Sequence, residues 1–237
     1  MAEQVPIFIP VRDRLAPLLQ LLDWFESVDQ HDVWLIDNAS TYQPLVDYLS
    51  VTSRHVVRLS DNLGHRSPWL SGTVQRVAHE RSFVVSDPDV VPDPSCPSDV
   101  FDHLAGVLDR YPEIDKVGLG LRIDDLPHHY ALRNDVIDWE GKFWDPEIEV
   151  ESGIYAAGVD TTFALYRPLD RRHELVRAVR TGKPYVARHL PWYQDTANLS
   201  DEDIYYRAHA DTTMSNWDRD QLPWWKARRL GTAAIRS

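Results

Sequence analysis

Two aspartates that follow an apolar stretch have the clearest chemical potential in this sequence. The segment FVVSDPDVVPDP, Phe83–Pro94, begins with β-branched and aromatic residues that favour a buried strand. Asp87 and Asp89 come next, with Pro88 between them. Because proline fixes φ and lacks an N–H donor, the chain must leave the sheet here in an extended turn. Two carboxylates at this place either solvate a loop or hold a hard cation such as Mg²⁺ or Mn²⁺.

The stretches around this segment alternate between strand-like and helix-like patterns. The predicted strands are Val5–Val11, Asp32–Asp37, His55–Ser60 and Ser82–Asp87. The predicted helices between them are Leu15–Val28, Tyr42–Ser50 and Pro68–Glu80. Strands that alternate with helices imply an α/β fold, with a Rossmann-like, doubly wound parallel sheet.

Polar loops follow each of these strands. In sequence order they read PVRDR, DNAS, DNLGH and SDPD. Ligands collect at the carboxyl ends of parallel strands, so these loops are expected to converge on one site. This half contains neither G-x-G-x-x-G nor G-x-x-x-x-G-K-[ST], which lowers the weight of dinucleotide and P-loop interpretations.

The second half has a different character. We predict a helix at Pro97–Ile114, a strand at Lys116–Pro127, a loop-rich acidic stretch from His128 to Val150, and a strand pair within Gly153–Pro168. A further strand and loop then lead to a helix that begins near Ser200.

Composition narrows the function and the compartment. Asp and Glu outnumber Lys and Arg by 37 to 25, which argues against a general nucleic-acid-binding surface. The single Cys96 cannot form an internal disulfide. The N-terminus lacks a secretion-signal pattern, and no stretch approaches the ~20 apolar residues of a membrane span. We therefore expect a soluble, cytoplasmic protein without a transmembrane segment.

The ordered motifs FIPVRDR, LIDNAS, LSDNLGH and VVSDPD resemble the nucleotide-binding half of GT-A glycosyltransferases, especially the family-2-like group. The resemblance implies a mostly parallel sheet with a smaller acceptor-side sheet. It also implies that residues 1–95 bind a nucleotide sugar and that residues 96–237 hold the acceptor, the catalytic groups and a C-terminal tail. In that fold the D-x-D motif, here Asp87 and Asp89, binds Mn²⁺ or Mg²⁺ at the diphosphate. A later histidine, His209 or His189, would complete the metal shell.

The resemblance also implies a set of nucleotide-sugar contacts. These are Pro10, Arg12, Asp37, Asn38, Asn62, Gly64, His65, Asp87 and Asp89. Some of these residues have an ordinary structural explanation as well, because Asp37 and Asn38 suit an Asx turn and the N-x-G of Asn62–Gly64 is a common turn.

Two segments of the second half resemble the acceptor side of the same enzymes. AAGVDTTFALYRP resembles their acceptor segment, and DEDIYYR, Asp201–Arg207, resembles the helix start that carries the catalytic base in inverting members. By that analogy Asp203 is the favoured base, Glu202 the next and Asp160 a rival. Ser200 and Asp203 also have the spacing of a helix capping box.

Aromatic residues are candidates for holding the acceptor. We expect Trp192, Trp217 and Thr161 at the acceptor site, since sugar rings stack on flat aromatic faces. The tail Leu222–Leu230 carries paired tryptophans beside basic residues. It suits a peripheral membrane contact with a lipid-linked acceptor, packing on the domain, or a second subunit in a homodimer, and we favour packing.

The expected function is therefore metal-dependent transfer of a sugar from a nucleoside diphosphate sugar to a hydroxyl of a sugar, lipid-linked or small-molecule acceptor, with inversion as the favoured course. One alternative is a nucleotidyltransferase, although PVRDRLAP lacks the Gly-rich loop that opens that class. Another is a non-catalytic nucleotide- or carbohydrate-binding protein on the same fold. A processive polysaccharide synthase is disfavoured because the motif Q-x-x-R-W is absent.

Overall fold

The computed structural model describes residues 4–160, 162–168 and 177–210. In chain order the strands are β1 (Ile7–Val11), β2 (Val33–Asp37), β3 (His55–Arg58), β4 (Phe83–Val85), β5 (Val90–Pro92), β6 (Lys116–Leu121), β7 (Glu149–Glu151), β8 (Ile154–Tyr155), β9 (Ala164–Tyr166) and β10 (Ala178–His189). The α-helices are α1 (Ala16–Ser27), α2 (Gln43–Val51), α3 (Ser67–Leu70), α4 (Thr73–Val77), α5 (Val100–Arg110), α6 (Arg133–Glu140) and α7 (Asp201–His209).

The described strands form one mixed sheet in the order β3-β2-β1-β4-β9-β6-β10-β8-β7. Strands β3, β2, β1 and β4 are mutually parallel, and β6 is parallel to β10. Strand β9 lies antiparallel between β4 and β6, and β5 pairs with β10 off the main order. The α/β class and the Rossmann-like central sheet are confirmed, and the strands after Pro94 continue this same sheet.

Most predicted elements are present, with four differences. The predicted helix at 68–80 is two short helices, because Gly72 adopts a φ of +72° between them. The stretch from His128 to Val150 contains α6 as well as loops. Strand β5 lies within the segment predicted as an extended Asp-Pro turn. This strand has only 3 residues and is too short to show a periodic pattern. Strands β8 and β9 pair with other strands and do not form a hairpin with each other.

Helices cover both faces of the sheet. The buried side chains of α1 and α5, such as Leu21, Phe25 and Leu104, pack in the larger core cluster. On the opposite face, Val74 and Ala78 pack with strand residues that include Phe8 and Val85. Burial of each such large side chain contributes about 1.5–3 kcal/mol, so the two cores hold the edge loops in fixed positions.

Strands β1 and β4 separate at the carboxyl edge of the sheet. Their pairing ends at Phe8 and Val85, whereas β1 continues alongside β2 to Val11. Pro10 lies in this extension and is buried. Its missing N–H would face the β4 side, where the ladder has already ended, so the proline costs no hydrogen bond. Strand order reverses at β1, and ligands bind at such a point in open α/β sheets.

Among the helices of the described ranges, none has the length and apolar character needed to cross a bilayer.

Candidate active site

The loop after β2 is held by its own polar side chains. Oδ1 of Asp37 accepts a hydrogen bond from the Ser40 N–H at 3.0 Å, and Oδ2 lies 3.7 Å from Arg58. The Asn38 side chain donates to Ser67 and accepts from the Leu63 N–H. Asp37 thus bonds an N–H three residues on within its own loop, whereas Asn38 ties this loop to Leu63 and Ser67 and does not form the expected Asx turn. Contact of either residue with a nucleotide base stays a prediction.

The loop after β3 contains the predicted N-x-G turn. Oδ1 of Asn62 accepts from the Gly64 N–H at 2.9 Å, and Gly64 has a φ of +69°, which favours glycine. Asn62 and His65 are exposed at this edge of the sheet. They are accessible to a ligand, and their predicted contact with the nucleotide is untested.

The loop after β1 locks the neighbouring loop in place. Arg12 donates to the Asn38 carbonyl at 2.6 Å. Oδ1 of the buried Asp13 accepts from the N–H groups of Thr41 and Tyr42 at 2.6 and 2.8 Å. Asp13 therefore fixes the two residues that precede α2 from another loop, a role that the sequence pattern does not show.

Asp89 lies in a polar cluster built by three elements. Antiparallel pairing of β5 with β10 places His189 opposite Val90, next to Asp89 in the chain. Nε2 of His189 lies 3.7 Å from Oδ1 of Asp89. Nη1 of Arg14, just before α1, lies 3.4 Å from Oδ2 of Asp89. The D-x-D motif thus faces both a histidine and an arginine.

The predicted metal ligands need one correction. In the described part of the chain, no three His, Cys, Asp or Glu side chains converge as a metal site, so Asp87, Asp89 and His209 do not form the expected set. His209 lies at the far end of α7, where its ring stacks on Tyr205 and Nδ1 contacts the Tyr205 carbonyl. The histidine beside Asp89 is His189, brought there by strand pairing.

The pair Asp89 and His189 fits a two-ligand cation site. Two donors that each bind one ion at about 2.1 Å lie about 3–4 Å apart, which includes the observed 3.7 Å. Mg²⁺-type sites in proteins use one or two side chains and take further oxygens from phosphate and water. The carboxylate of Asp89 suits Mn²⁺ and Mg²⁺ alike, and an imidazole ligand is typical of transition metals.

Both favoured base candidates hold α7 in place. Oε2 of Glu202 accepts from the Leu15 N–H at 2.7 Å and from the Ala16 N–H at 3.1 Å, so Glu202 caps α1. Asp203 forms the expected capping box with Ser200. These bonds give both carboxylates a structural role. Of them, only the pair of Ser200 and Asp203 was predicted from spacing in the sequence.

Asp203 has further partners on the cleft side. Its Oδ1 accepts from Gln194 at 2.6 Å and lies 3.4 Å from Nη2 of Arg14. Arg14 therefore bridges Asp89 and Asp203, and its guanidinium lies 4.9 Å from the Tyr206 ring centroid. Asp203 is therefore already held by Ser200, Gln194 and Arg14, which leaves its carboxylate little freedom to reach an acceptor hydroxyl.

A buried lysine lies on the other side of the D-x-D motif. Nζ of Lys116, which is 7% exposed, donates to the Tyr166 hydroxyl at 3.1 Å and to the Asp160 carbonyl at 3.2 Å. Burial lowers the pKa of Lys116 to about 8, with Asp160 and Asp87 opposing that change and Arg180 adding to it. Asp87 and Asp89 thus have different charged neighbours, and the Asp160 side chain is exposed.

The acceptor residues are placed only in part. Trp192 is 1% exposed and packs edge-on against His189, with ring centroids 4.8 Å apart. Its faces are not open to a sugar, so the expected stacking role of Trp192 is wrong in this conformation. Thr161, Trp217 and the tail Leu222–Leu230 lie outside the described residues, and so their predicted roles stay predictions.

Charged networks brace the strands that carry His189. The buried Asp93 accepts from Ser95 Oγ at 2.6 Å and from Arg122 Nη1 at 3.0 Å, and it lies 2.9 Å from Arg188 Nε. Burial by itself would raise the pKa of Asp93, but the Ser95 hydrogen bonds and the two arginines lower it to about 2. Arg188 precedes His189 in β10, so this network fixes the strand at the site.

The acceptor-like LYRP segment has a structural anchor. Nε of Arg167 donates to the Ile114 carbonyl at 2.7 Å, and Nη2 donates to the Tyr111 carbonyl at 3.0 Å and to Leu108. Arg167 therefore binds carbonyls at the C-terminal end of α5 and holds the end of β9 against that helix.

Sequence reasoning missed several residues of the site. Arg14 is the last residue of the motif FIPVRDR, but nothing in its spacing separates it from Arg12. Lys116 opens the apolar stretch KVGLGL, where a lysine at the strand boundary normally indicates solvent. Strand pairing between β5 and β10 is what distinguishes His189 from His209.

Comparisons with known proteins show the fold. Neither a family model nor a curated protein matches the chain. A UDP-glucose pyrophosphorylase solved with UDP-glucose is similar in structure, with 9% identity, coverage of 87% of this chain and 100% of that chain, and a TM-score of 0.50. At this level of identity the likeness shows a shared α/β fold. Membership of family 2 stays a prediction.

Two further structures match less closely. Glucosyl-3-phosphoglycerate synthase from Mycobacterium tuberculosis has 12% identity, 70% coverage of this chain and a TM-score of 0.40. A cytidylyltransferase from Leptospira borgpetersenii has 14% identity, 52% coverage and a TM-score of 0.37. The chain spans only 57% and 56% of their respective lengths.

Proposed function

We propose that this protein transfers a sugar from a nucleoside diphosphate sugar to an acceptor hydroxyl, with a divalent cation held by Asp89 and His189. The observation that carries the proposal is the placement of this pair, 3.7 Å apart, at the carboxyl edge of the sheet. The similar pyrophosphorylase was solved with a nucleoside diphosphate sugar, which supports this ligand class.

The charges of the cluster suit a departing diphosphate. Asp89 and His189 would hold Mn²⁺ or Mg²⁺, which would supply a Lewis acid for the negative charge that develops on the leaving nucleotide. Nη1 of Arg14 lies near Oδ2 of Asp89 and Nε2 of His189 lies near Oδ1, so the carboxylate is held in one orientation. Asp37 and the loops after β2 and β3 are proposed to hold the nucleoside.

We propose Asp160 as the general base for the acceptor hydroxyl. Asp203 and Glu202 are engaged in hydrogen bonds that hold α7, whereas the Asp160 side chain is exposed. Its backbone carbonyl accepts a hydrogen bond from Lys116 at 3.2 Å. Lys116 also interacts electrostatically with Asp87, which raises the pKa of the lysine. A base for direct displacement must lie within hydrogen-bond reach of the acceptor, and Asp160 can be reached from solvent.

One feature favours glycosyl transfer over the nucleotidyltransferase alternative. A helix N-terminus after the first strand is a natural site for a triphosphate, because its free N–H groups bind anions. In this chain Glu202 already occupies the N–H groups of Leu15 and Ala16 at the start of α1. A carboxylate there competes with phosphate oxygens and repels them.

The test is to identify the phosphorus-containing products by ³¹P NMR. UDP-, GDP-, ADP-, CDP- and dTDP-sugars are each incubated with protein, Mn²⁺ and simple hydroxyl acceptors, with and without pyrophosphate. The proposal predicts a nucleoside diphosphate as product, lost in Asp89→Ala and retained in Asp102→Ala, an exposed control on α5. Formation of nucleoside triphosphate and sugar 1-phosphate only with pyrophosphate would show a nucleotidyltransferase instead. Binding without turnover of any donor would favour a non-catalytic binding protein.

A further inference from the structure

Arg207 lies in the last turn of α7, close to the cleft. It comes one helical turn after Asp203, so the two side chains project from neighbouring positions of the same helix face. Tyr206, the residue before it, has its ring 4.9 Å from the guanidinium of Arg14. Arg207 is therefore one turn along α7 from Asp203, which itself contacts Arg14.

One edge of the Arg207 guanidinium is buried without a partner. Nε and Nη2 are both shielded from solvent, and neither makes a hydrogen bond within the described ranges. These two N–H groups are parallel and form the fork that matches a carboxylate or a phosphate in bidentate fashion. A buried donor without an acceptor costs free energy. One recognised explanation for such a donor is that it binds a ligand that is absent from the structure.

The helix dipole does not account for this edge. A cation in the last turn of a helix is stabilised by the partial negative charge of that end, which explains the charge of Arg207. It does not explain why the fork is turned away from solvent. Asp203 is the nearest acidic group on the helix face, and its carboxylate is already bound by Ser200, Gln194 and Arg14.

We propose that Arg207 binds an oxyanion of a substrate, phosphate or carboxylate, on the α7 side of the cleft. The identity of that substrate rests on the proposed function, but the anion site itself does not. Two sources have the same chemistry: the diphosphate of the donor and an acidic group on the acceptor.

The experiment is calorimetric titration of inorganic phosphate into wild type, Arg207→Met, Arg207→Lys and the control Arg76→Met. Arg76 is exposed on α4 and carries the same charge. We expect Arg207→Met to weaken phosphate binding by about tenfold or more, because a bidentate pair with a charged group is lost. Arg207→Lys keeps the charge but lacks the fork and should bind between the two. Arg76→Met should bind as wild type does.

Two further readouts separate the possible outcomes. Without ligand, Arg207→Met should unfold at a midpoint equal to or above that of wild type, since it removes unsatisfied buried donors; a clearly lower midpoint would indicate a structural arginine and overturn the proposal. Equal phosphate binding by wild type and Arg207→Met would also overturn it. Titration of UDP, GDP, ADP, CDP and dTDP with Mn²⁺ then identifies the source. If Arg207→Met binds the nucleoside diphosphate about tenfold more weakly than wild type, the anion is the donor diphosphate. If its nucleotide affinity is unchanged although its affinity for inorganic phosphate is reduced, the anion belongs to the acceptor. Because no turnover is measured, the result is readable even if the proposed reaction fails.

Discussion

Removal of the Glu202 carboxylate should loosen the contact between α7 and α1. Glu202 is 8% exposed, and its oxygens accept from the N–H groups of Leu15 and Ala16 at distances between 2.7 and 3.2 Å. Leu15, the N-cap residue of α1, provides no side-chain cap of its own. In Glu202→Ala these N–H groups lose their partner and α1 loses its cap.

The expected cost follows from these bonds. A hydrogen bond to a charged group contributes about 1.5–3 kcal/mol, and loss of a helix cap costs about 0.5–2 kcal/mol, with overlap between the two. We expect Glu202→Ala to lower the free energy of unfolding by about 2–4 kcal/mol. For a chain of this size that corresponds to a midpoint about 4–16 °C lower. Glu202→Gln keeps one acceptor oxygen and should lose about 1 kcal/mol.

Urea unfolding and donor turnover test this prediction together. Asp201→Asn is the control, since Asp201 is an exposed acidic residue in the same first turn and should change stability by under ~1 kcal/mol. Glu202→Gln should keep turnover within a few-fold of wild type. If Glu202→Ala is as stable as Asp201→Asn, or if Glu202→Gln folds normally but loses turnover, the structural role of Glu202 is refuted.

Three further predictions concern pH and packing. The pKa of Asp93 is about 2 in the folded chain against an ordinary 3.8, so this carboxylate contributes about 2 kcal/mol above pH 4 that is lost as pH falls toward 2; acid unfolding of Asp93→Asn should lack this loss. The pKa of Lys116 is about 8 against an ordinary 10.5, so the folded state releases its proton first and stability should rise by up to about 3 kcal/mol as pH rises through that range; Lys116→Met should show no such rise in chemical denaturation. Gly120→Ala would place a Cβ 2.4 Å from the Thr181 carbonyl oxygen and should lower the thermal midpoint, whereas Gly141→Ala, with open space, should not.

Much of the fold was predictable from local pattern. The alternation of strands β1 to β4 with helices α1 and α2, and helix α5 after them, could be predicted because each of these elements has a clear pattern of apolar residues. The break in the predicted helix at 68–80 could not be predicted, because the sequence SGT at Ser71–Thr73 is compatible with a continuous helix. The break results from the positive φ of Gly72, which only the structure shows. The insertion of β9 between β4 and β6 is a long-range pairing that no local pattern encodes.

The candidate site was predictable where it follows strand ends. Asp37, Asp87 and Asp89 lie at the carboxyl edge because parallel strands put them there. The partners of these residues were not, since they come from distant parts of the chain: Glu202 reaches the start of α1, and His189 reaches Asp89 through β10. Whether a carboxylate serves as base or as cap depends on such contacts.

The most direct test of the metal-assisted nucleotide site is Mn²⁺ binding, measured by electron paramagnetic resonance, with UDP, GDP, ADP, CDP or dTDP present. The variants are Asp89→Ala, His189→Ala and His209→Ala. We predict that one nucleotide raises Mn²⁺ affinity in wild type and in His209→Ala, and that both other variants lose this enhancement. Normal Mn²⁺ and nucleotide binding by folded Asp89→Ala and His189→Ala would contradict the site. If only His209→Ala loses the nucleotide-dependent rise in Mn²⁺ affinity, the metal would instead bind at His209, at the far end of α7.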